Sequence, residues 1–527
     1  MRRLSSAQAV SLVISISPTL ASYTPIFIGN VTLLGPQLTP DVNNVSRDGG
    51  YSSLINGNIV WLYDDTECMD SQGSQLSFVS NTAAFSASPR DNLTVVKDFG
   101  VVNVGKEKDG SPKNAILADT TVGSGGWVPF QPDELAFNQQ MKGKERVAIW
   151  PGTSPTPISV DQAFLFAPLV YVDYKPQDPS KEYQGRGMTL ISITASNDGP
   201  VATRQGDLII PGTQIGFGGF TTLVGRKSAE TASNDDGERD LYLLGVTNAG
   251  LQLARVGINN LATFSSYVFW DPSSQKFTST RPKPGMIDNT KIYMPGTFTS
   301  GSVFYSPYFE TFIMIYYNKH ADSTFYIRFL DLTRPILKDK TWRPGGRDGQ
   351  GIEAEDVEAL VRYTWSPEQI LYKSTPGKGG FNYAGTPHPE YFNRQYFAKS
   401  LYPDKTAEKD RRNEWYGSNF MSEDDANGKD GKFLLLSWTS QKKGGMDTGI
   451  YEIVLAAVEF GDIPENPEIE KGAESTKTTS SSPGGEPTAP PAAGFKAKSS
   501  AADSQGGFCS IWMLILGLFA IKHFLDL

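Results

Sequence analysis

Cysteine and histidine are scarce in this 527-residue chain, which contains two cysteines and three histidines. Because Cys509 lies in a C-terminal hydrophobic stretch that we expect to be removed, Cys68 has no partner and no internal disulfide is expected. Cys68 is expected to be a buried, inert thiol. So few histidines argue against a His-rich metal site. We therefore expect no cofactor, with an axial Ca²⁺ left open, and a stability that depends on a large hydrophobic core.

Several motifs of known chemistry are missing as well. The chain has no GxxxxGKS/T phosphate loop, no HExxH zinc motif and no CxxC pair. Its 48 Lys and Arg residues against 57 Asp and Glu give a formal net charge of −9 and a pI near 5.1. No cluster of Lys and Arg is interleaved with aromatic residues, so nucleic acid is not an expected partner.

Residues 1–22 have the layout of a secretory signal peptide. Arg2 and Arg3 precede a short apolar run at 9–16, and small residues follow at 19–22. That order of segments is typical of a cleaved leader, and the run is too short to span a membrane. Three glycosylation sequons agree with a secreted protein. Their asparagines are Asn30, Asn44 and Asn92.

The C-terminal segments predict attachment to a membrane surface. Residues 466–507 are rich in Ser, Thr, Pro and Gly, and too poor in large apolar residues to fold, so a disordered stalk is expected. Residues 508–527 form a hydrophobic tail that is interrupted by charge and shorter than a membrane span. This pattern favours a GPI anchor, with a plain transmembrane anchor as the alternative. The expected location is the cell surface, and the expected state is a monomer.

Five strand–turn–strand units recur between the two ends, and they predict an all-β domain over residues 23–465. The first unit is NIVWLYDDT, and each later unit pairs two apolar strands. The later units are AFLFAPLVYVDY with GMTLISIT, DLYLLGV with LQLARV, ETFIMIYYN with STFYIRFLDL, and KFLLLSWTS with GIYEIVLAAVEF.

Small or turn-forming residues precede each unit, as the crowded axis of a radial array requires. The fold prediction is therefore a five-bladed β-propeller with long inserted loops, and a β-sandwich or two β-domains are the alternatives. Short helices are predicted only in the inserts, at 351–363 and 390–401.

The stretch at 47–66, RDGGYSSLINGNIVWLYDDT, carries the main functional signal. The Asn56-Gly57 dipeptide between two strand-like runs predicts a tight hairpin. Such a hairpin places Asp48, before its first strand, and Asp65, after its second, at the same end. Two carboxylates at one end of a sheet are the minimum equipment for cleaving a glycosidic bond. The alternative is that both aspartates simply form turns.

The order of three motifs resembles a known family. DGGYS, the strand ending in YDDT, and a late NYAGTPHPEY resemble a former domain-of-unknown-function family that is associated with endo-D-arabinanase activity. The resemblance covers about residues 48–460. It implies a five-bladed β-propeller glycoside hydrolase whose paired catalytic carboxylates match Asp48 and Asp65. The chain departs from the family pattern at Asp64, where glycine is expected. The extra carboxylate is expected either to perturb the pKa values of the pair or to replace Asp65.

Other candidate site residues lie near these motifs. Glu390 is a candidate catalytic acid, and His388 is expected to orient a carboxylate or to hydrogen-bond a sugar hydroxyl, although Pro-His-Pro-Glu can equally form a rigid turn. Tyr51 and Trp150 are candidate stacking platforms for sugar rings, and most aromatic residues are core. Arg47 is expected to position a substrate hydroxyl or to hold Asp48 ionised, with a surface salt bridge as the alternative. Three further acids near strand ends are expected to form turns. They are Asp173, Asp271 and Glu310.

The sequence therefore predicts a cell-surface glycoside hydrolase that acts on a polysaccharide or cell-wall glycan, with furanosidic, arabinan-type links as the expected target. The alternative is a non-catalytic glycan-binding or cell-wall structural protein on the same fold.

Overall fold

The computed structural model describes residues 28–56, 58–86, 93–116, 126–159, 161–196, 199–226, 239–282, 284, 292–306, 308–309, 311–318, 323–330, 354–376, 381–391, 432–441 and 451–461. Within these ranges the chain is mostly β-strand, which confirms the all-β prediction. No helix in this part of the chain has the length and apolar character needed to cross a membrane.

The strands are numbered in chain order. They are β1 (Ile28–Pro36), β2 (Val45–Arg47), β3 (Tyr51–Ile55), β4 (Asn58–Tyr63), β5 (Thr66–Met69), β6 (Gln75–Val79), β7 (Thr82–Ser86), β8 (Lys97–Asp98), β9 (Val101–Lys106), β10 (Pro112–Ile116), β11 (Glu145–Ile149), β12 (Thr156–Pro157), β13 (Gln162–Asp173), β14 (Tyr183–Thr194), β15 (Val201–Arg204), β16 (Ile210–Pro211), β17 (Thr221–Arg226), β18 (Arg239–Thr247), β19 (Gly250–Gly257), β20 (Val268–Asp271), β21 (Lys276–Thr278), β22 (Met294–Pro295), β23 (Ser300–Ser306), β24 (Thr311–Tyr317), β25 (Thr324–Phe329), β26 (Gln369–Lys373), β27 (Tyr383–His388), β28 (Phe433–Gln441) and β29 (Tyr451–Phe460).

Helices are few and short in the described residues. The α-helices are α1 (Pro132–Met141) and α2 (Ala354–Arg362), and the 3₁₀ turns are Pro179–Lys181, Ile258–Asn260, Phe264–Ser266 and Pro389–Tyr391. Helix α2 lies inside the predicted helix at 351–363. Only the first two residues of the second predicted helix are described, and they belong to the last 3₁₀ turn; residues 392–401 lie outside the described part.

Five of the sheets in the described residues have four or more strands, and paired strands run antiparallel. Their strand orders are β3-β4-β7-β8, then β11-β13-β14-β15 with β12 on β13 and β16 on β14, then β17-β18-β19-β20-β21 with β22 on β19, then β23-β24-β25-β26, and finally β1-β29-β28-β27. Two smaller sheets have the strand orders β2-β5-β6 and β9-β10.

One strand from each large sheet joins a closed ring. Strand β3 contacts β12, β12 contacts β17, β17 contacts β23, β23 contacts β27, and β27 contacts β3 again. Small side chains link these strands, as the crowded centre of such a ring requires. The Thr221 and Ser302 hydroxyls are 3.1 Å apart, and Ser300 Oγ donates to the Gly385 carbonyl at 3.1 Å.

The fifth sheet is completed by pairing the first described strand with the last. Strand β1 lies antiparallel to β29, with Val31 opposite Val458. The fifth sheet is therefore built from both ends of the folded body, which ties those ends together. Apolar side chains fill the space between neighbouring sheets. Examples are Phe220, Tyr242, Phe298 and Tyr316 in one cluster, and Phe325, Leu436, Trp438 and Val458 in another.

The cysteine and turn predictions agree with the structure. Cys68 is fully buried, and burial raises the pKa of its thiol. The Lys175 amide donates to Asp173 at 2.9 Å, and the Ser273 amide donates to Asp271 at 3.0 Å. Both carboxylates therefore form turns, and Glu310 lies outside the described residues.

We expect Gly385→Ala to lower the free energy of unfolding by roughly 1–3 kcal/mol, because the inner ring has no room for a methyl group there. A Cβ at this position would lie 2.0 Å from Tyr317 Cε2 and 2.8 Å from Phe325 Cε1. Gly257→Ala is the control, since its nearest neighbours would be 3.7 Å away. Urea unfolding of both variants measures the difference; equal midpoints would contradict the packing.

Candidate active site

The predicted hairpin is present and brings its flanking aspartates together. Strands β3 and β4 pair from Tyr51 opposite Leu62 to Ile55 opposite Asn58. Asn56 has φ 48°, the left-handed conformation that a tight Asn-Gly hairpin turn requires.

The backbone continues this pairing beyond the two strands. The Asp48 amide donates to the Asp65 carbonyl at 2.9 Å, and the Asp64 amide donates to the Asp48 carbonyl at 2.9 Å. All three aspartates therefore lie at one end of the hairpin.

Asp64 is the buried member of this group, with 4% of its surface exposed. The Gly152 amide donates to Oδ1 at 3.2 Å, and the Tyr51 hydroxyl donates to Oδ2 at 3.2 Å. Gly49 makes this approach possible, because a Cβ there would lie 2.8 Å from Asp64 Oδ2 and its φ is +76°. Gly49 of the DGGYS motif thus makes room for the Asp64 carboxylate.

Asp48 is partly exposed and is held from the fifth sheet. The Tyr383 hydroxyl hydrogen-bonds its carboxylate. Thr439 Oγ1 accepts from the Gly49 amide at 3.0 Å and lies 3.5 Å from Asp48 Oδ1. The first and last sheets therefore meet at this carboxylate.

The pKa values of Asp48 and Asp64 are both raised. Burial, and then the charge of Asp65, raise the pKa of Asp48 to about 7. Burial, and then the charge of Asp48, raise the pKa of Asp64 well above its ordinary value. The charge of Asp48 thus disfavours ionisation of Asp64. Near neutral pH Asp48 is therefore partly ionised, whereas burial favours the protonated form of Asp64.

Asp65 has a different environment. Arg146 Nη2 donates to Asp65 Oδ2 at 2.5 Å, and Trp150 Nε1 donates to Oδ1 at 2.8 Å. Its carboxylate is thus paired with a cation, whereas the Asp64 carboxylate accepts hydrogen bonds from Tyr51 and the Gly152 amide.

Arg47 does not contact Asp48, which contradicts the predicted role. Its guanidinium is buried, forms an ion pair with Asp98, and lies 4.0 Å above the Tyr63 ring. Arg47 and Asp48 are also neighbours in the chain, and their side chains diverge. The alternative of a surface salt bridge is also wrong, because the salt bridge that Arg47 forms lies in the interior.

Tyr51 and Trp150 are not open stacking platforms, which corrects a second prediction. Their exposed fractions are only 2% and 5%. Their polar atoms instead hold Asp64 and Asp65, and the Trp150 ring packs 6.1 Å from that of Tyr183. A sugar cannot reach a ring that neighbouring side chains already cover.

His388 and Glu390 belong to a buried polar cluster, which contradicts a direct role for either at a sugar. Their exposed fractions are 0% and 5%. His388 Nδ1 is 2.5 Å from Ser52 Oγ, and its Nε2 is 2.7 Å from Ser437 Oγ. The Ser52 hydroxyl also contacts Glu390 Oε1. Burial lowers the pKa of His388 to about 3 and raises that of Glu390 to about 7. The cluster stabilises the backbone next to Asp48, because Ser437 Oγ donates to the Gly50 carbonyl at 3.2 Å.

Two of the three sequon asparagines are exposed. Asn30 lies on β1, and Asn44 donates from Nδ2 to the Asp70 carbonyl at 3.0 Å. Asn92 lies outside the described residues, and glycosylation of all three stays a prediction. Among the residues that the structure describes, no group of three or more His, Cys, Asp and Glu side chains is arranged to hold a metal ion.

Sequence reasoning missed the residues that surround the carboxylates. Tyr383 lies within NYAGTPHPEY, so the motif indicated the right segment, although the residues predicted from it were His388 and Glu390. Arg146 and Thr439 carry no local signal, because only the tertiary structure brings them to the aspartates.

Comparison with known proteins gives distant likenesses only. No family model matches the chain, and no curated protein matches its sequence. A suspected hydrolase from Bacteroides ovatus is 13% identical, with a TM-score of 0.42 over 78% of this chain and 85% of that one. A family 117 glycoside hydrolase from Zobellia galactanivorans is 11% identical, with a TM-score of 0.35 over 81% and 90%.

An α-L-arabinofuranosidase from Podospora anserina is 9% identical, with a TM-score of 0.32 over 82% of this chain and 97% of that one. With TM-scores below 0.5, these likenesses decide neither the fold nor the activity of this chain, so its own residues must carry both.

Proposed function

We propose that this chain is a five-bladed β-propeller glycoside hydrolase that cleaves a polysaccharide with Asp48 and Asp64. The observation that carries the proposal is the placement of these two residues at one end of the β3–β4 hairpin, where the Asp64 amide donates to the Asp48 carbonyl, with both pKa values raised. The closed ring of inner strands supports the propeller. Arabinan-type furanosidic links are the proposed target, on the strength of the DGGYS, YDDT and NYAGTPHPEY motifs.

The pair supplies the two protonation states that glycoside hydrolysis needs. One carboxyl must donate a proton to the leaving oxygen, while the other assists as an ionised base or nucleophile. Asp48 is the more exposed member and is the proposed ionised base or nucleophile. Asp64 is the more buried member and is the proposed proton donor, with Tyr51 and the Gly152 amide fixing its orientation.

The direct test is release of reducing ends from a panel of polysaccharides by the full chain. Linear arabinan is the expected substrate and xylan is a pyranose control. The double variant Asp48→Asn/Asp64→Asn should release none while unfolding at or above the wild-type temperature. Equal release by this variant would refute the assignment. Binding of a glycan without hydrolysis by the wild type would favour the glycan-binding alternative.

The raised pKa of Asp48 predicts an acidic limb in the pH dependence of hydrolysis. We expect kcat/KM to rise as the pH increases through about 7, because Asp48 must lose its proton to act as the ionised partner while Asp64 keeps its proton. Asp65→Asn should move this limb to lower pH, since the charge of Asp65 helps to raise the pKa of Asp48. Initial rates from pH 4 to 9 measure both limbs; an unchanged limb in the variant would contradict the coupling.

We also propose that the chain is displayed at the cell surface through a C-terminal lipid anchor. The polar segment at 466–507 followed by the hydrophobic tail supports this. Phosphatidylinositol-specific phospholipase C should release the protein from membranes into the supernatant. Retention in the membrane after complete digestion would contradict the anchor.

A further inference from the structure

Tyr174 is unusual among the aromatic side chains of this protein because its ring is open to solvent. It is 42% exposed, and every other aromatic residue in the described ranges is buried or partly buried. It directly follows Asp173, the last residue of β13. The aromatic residues that the sequence favoured as platforms, Tyr51 and Trp150, are covered by their neighbours.

The Tyr174 side chain is held in place despite its exposure. Arg146 Nε donates to the Tyr174 hydroxyl at 2.8 Å, and the Tyr174 amide donates to the Lys144 carbonyl at 3.1 Å. Arg146 itself is buried and donates from Nη1 to Ser80 Oγ at 2.6 Å. An aromatic side chain fixed before binding loses little conformational freedom when a ligand covers it.

The same guanidinium connects Tyr174 to the carboxylate cluster. Arg146 Nη2 donates to Asp65 Oδ2 at 2.5 Å, so one planar group binds both the Tyr174 hydroxyl and the Asp65 carboxylate. The Asp65 carbonyl in turn accepts from the Asp48 amide. Tyr174 is therefore linked to the proposed cleavage site through Arg146 and Asp65.

We propose that Tyr174 is the sugar-binding platform of this site and stacks on a furanose unit next to the bond that is cleaved. This rests on the proposed function. An aromatic face offers a sugar ring apolar contact area, and the hydroxyl keeps its bond to arginine during binding. The arrangement also gives Asp65 a role. Asp65 positions Arg146, and through it Tyr174, while Asp48 and Asp64 are the proposed catalytic carboxyls.

The test compares three variants of the full chain, using linear arabinan as the probe. Affinity gel electrophoresis measures binding, and initial rates measure KM and kcat separately. Tyr174→Ala should weaken binding and raise KM by about fivefold to tenfold with little change in kcat. Tyr174→Phe keeps the ring and should stay within about twofold of the wild type. Ile370→Ala removes another exposed side chain, on β26 in a different sheet, and should change neither quantity.

The outcomes separate this inference from the proposed function. Wild-type hydrolysis with unchanged KM in Tyr174→Ala would overturn the platform and leave the hydrolase standing. Equal losses in the Phe and Ala variants would also overturn it, because the hydroxyl bond to Arg146 would then be the whole contribution. Binding that depends on Tyr174 in a wild type that does not hydrolyse would support the platform and refute the hydrolase. No binding of linear arabinan by the wild type would overturn the platform.

Discussion

Asp64→Asn is expected to reduce kcat/KM on the polysaccharide by about 10³-fold, as is Asp48→Asn, because each removes one carboxyl of the proposed catalytic pair. Asp65→Asn is expected to cost about tenfold, since its carboxylate orients Arg146 and adjusts the pKa of Asp48 without belonging to that pair. The two neighbouring aspartates are therefore predicted to differ by about a hundredfold in their effects.

The asparagine variants are close matches in shape, so the comparison isolates the carboxylate. In Asp64→Asn the side-chain oxygen can still accept from the Gly152 amide, and the fold should be retained. Thermal unfolding at pH 8 should show Asp64→Asn at least as stable as the wild type, because a buried carboxyl with a raised pKa destabilises the folded state once it ionises. Full activity in Asp64→Asn together with loss in Asp65→Asn would reverse the assignment.

Glu390→Gln is expected to stabilise the protein at pH 8 relative to the wild type and to flatten the pH dependence of stability. Burial raises the pKa of Glu390 from 4.5 to about 7. The folded state therefore keeps its proton where the unfolded state has lost it. This contribution is fully present below pH 4.5, decreases as the pH rises, and is lost above pH 7. Its size is roughly 3 kcal/mol, from the difference between the two values.

Urea unfolding at pH 5 and pH 8 measures this effect. Asp48 and Asp64 contribute in the same direction, so the wild type should lose stability between these pH values and Glu390→Gln should lose less. Asp133→Asn, on the exposed first turn of α1, controls for removal of one acidic charge. A Glu390→Gln profile parallel to that of the wild type would show that Glu390 is ionised in the folded protein throughout.

Local sequence determined the secondary structure and the hairpin that brings the aspartates together. Strand periodicity and the Asn56-Gly57 dipeptide act over a few residues, so the β3–β4 hairpin could be predicted with its turn. The same hairpin required that Asp48 lie beside Asp64 and Asp65. Gly49, directly after Asp48, allowed the close approach of the backbone to the Asp64 carboxylate. These features depend on contacts within about 20 residues, which a single sequence displays.

The tertiary structure decided what surrounds each carboxylate. The Gly152 amide donates to Asp64, whereas Arg146 pairs with Asp65. Tyr383 and Thr439 come from β27 and β28, more than 300 residues from Asp48 in the chain. Composition could not show that Tyr51, Trp150 and His388 are covered while Tyr174 is open. Burial is a property of the neighbours that a side chain acquires on folding, and only closure of the ring of strands supplies those neighbours.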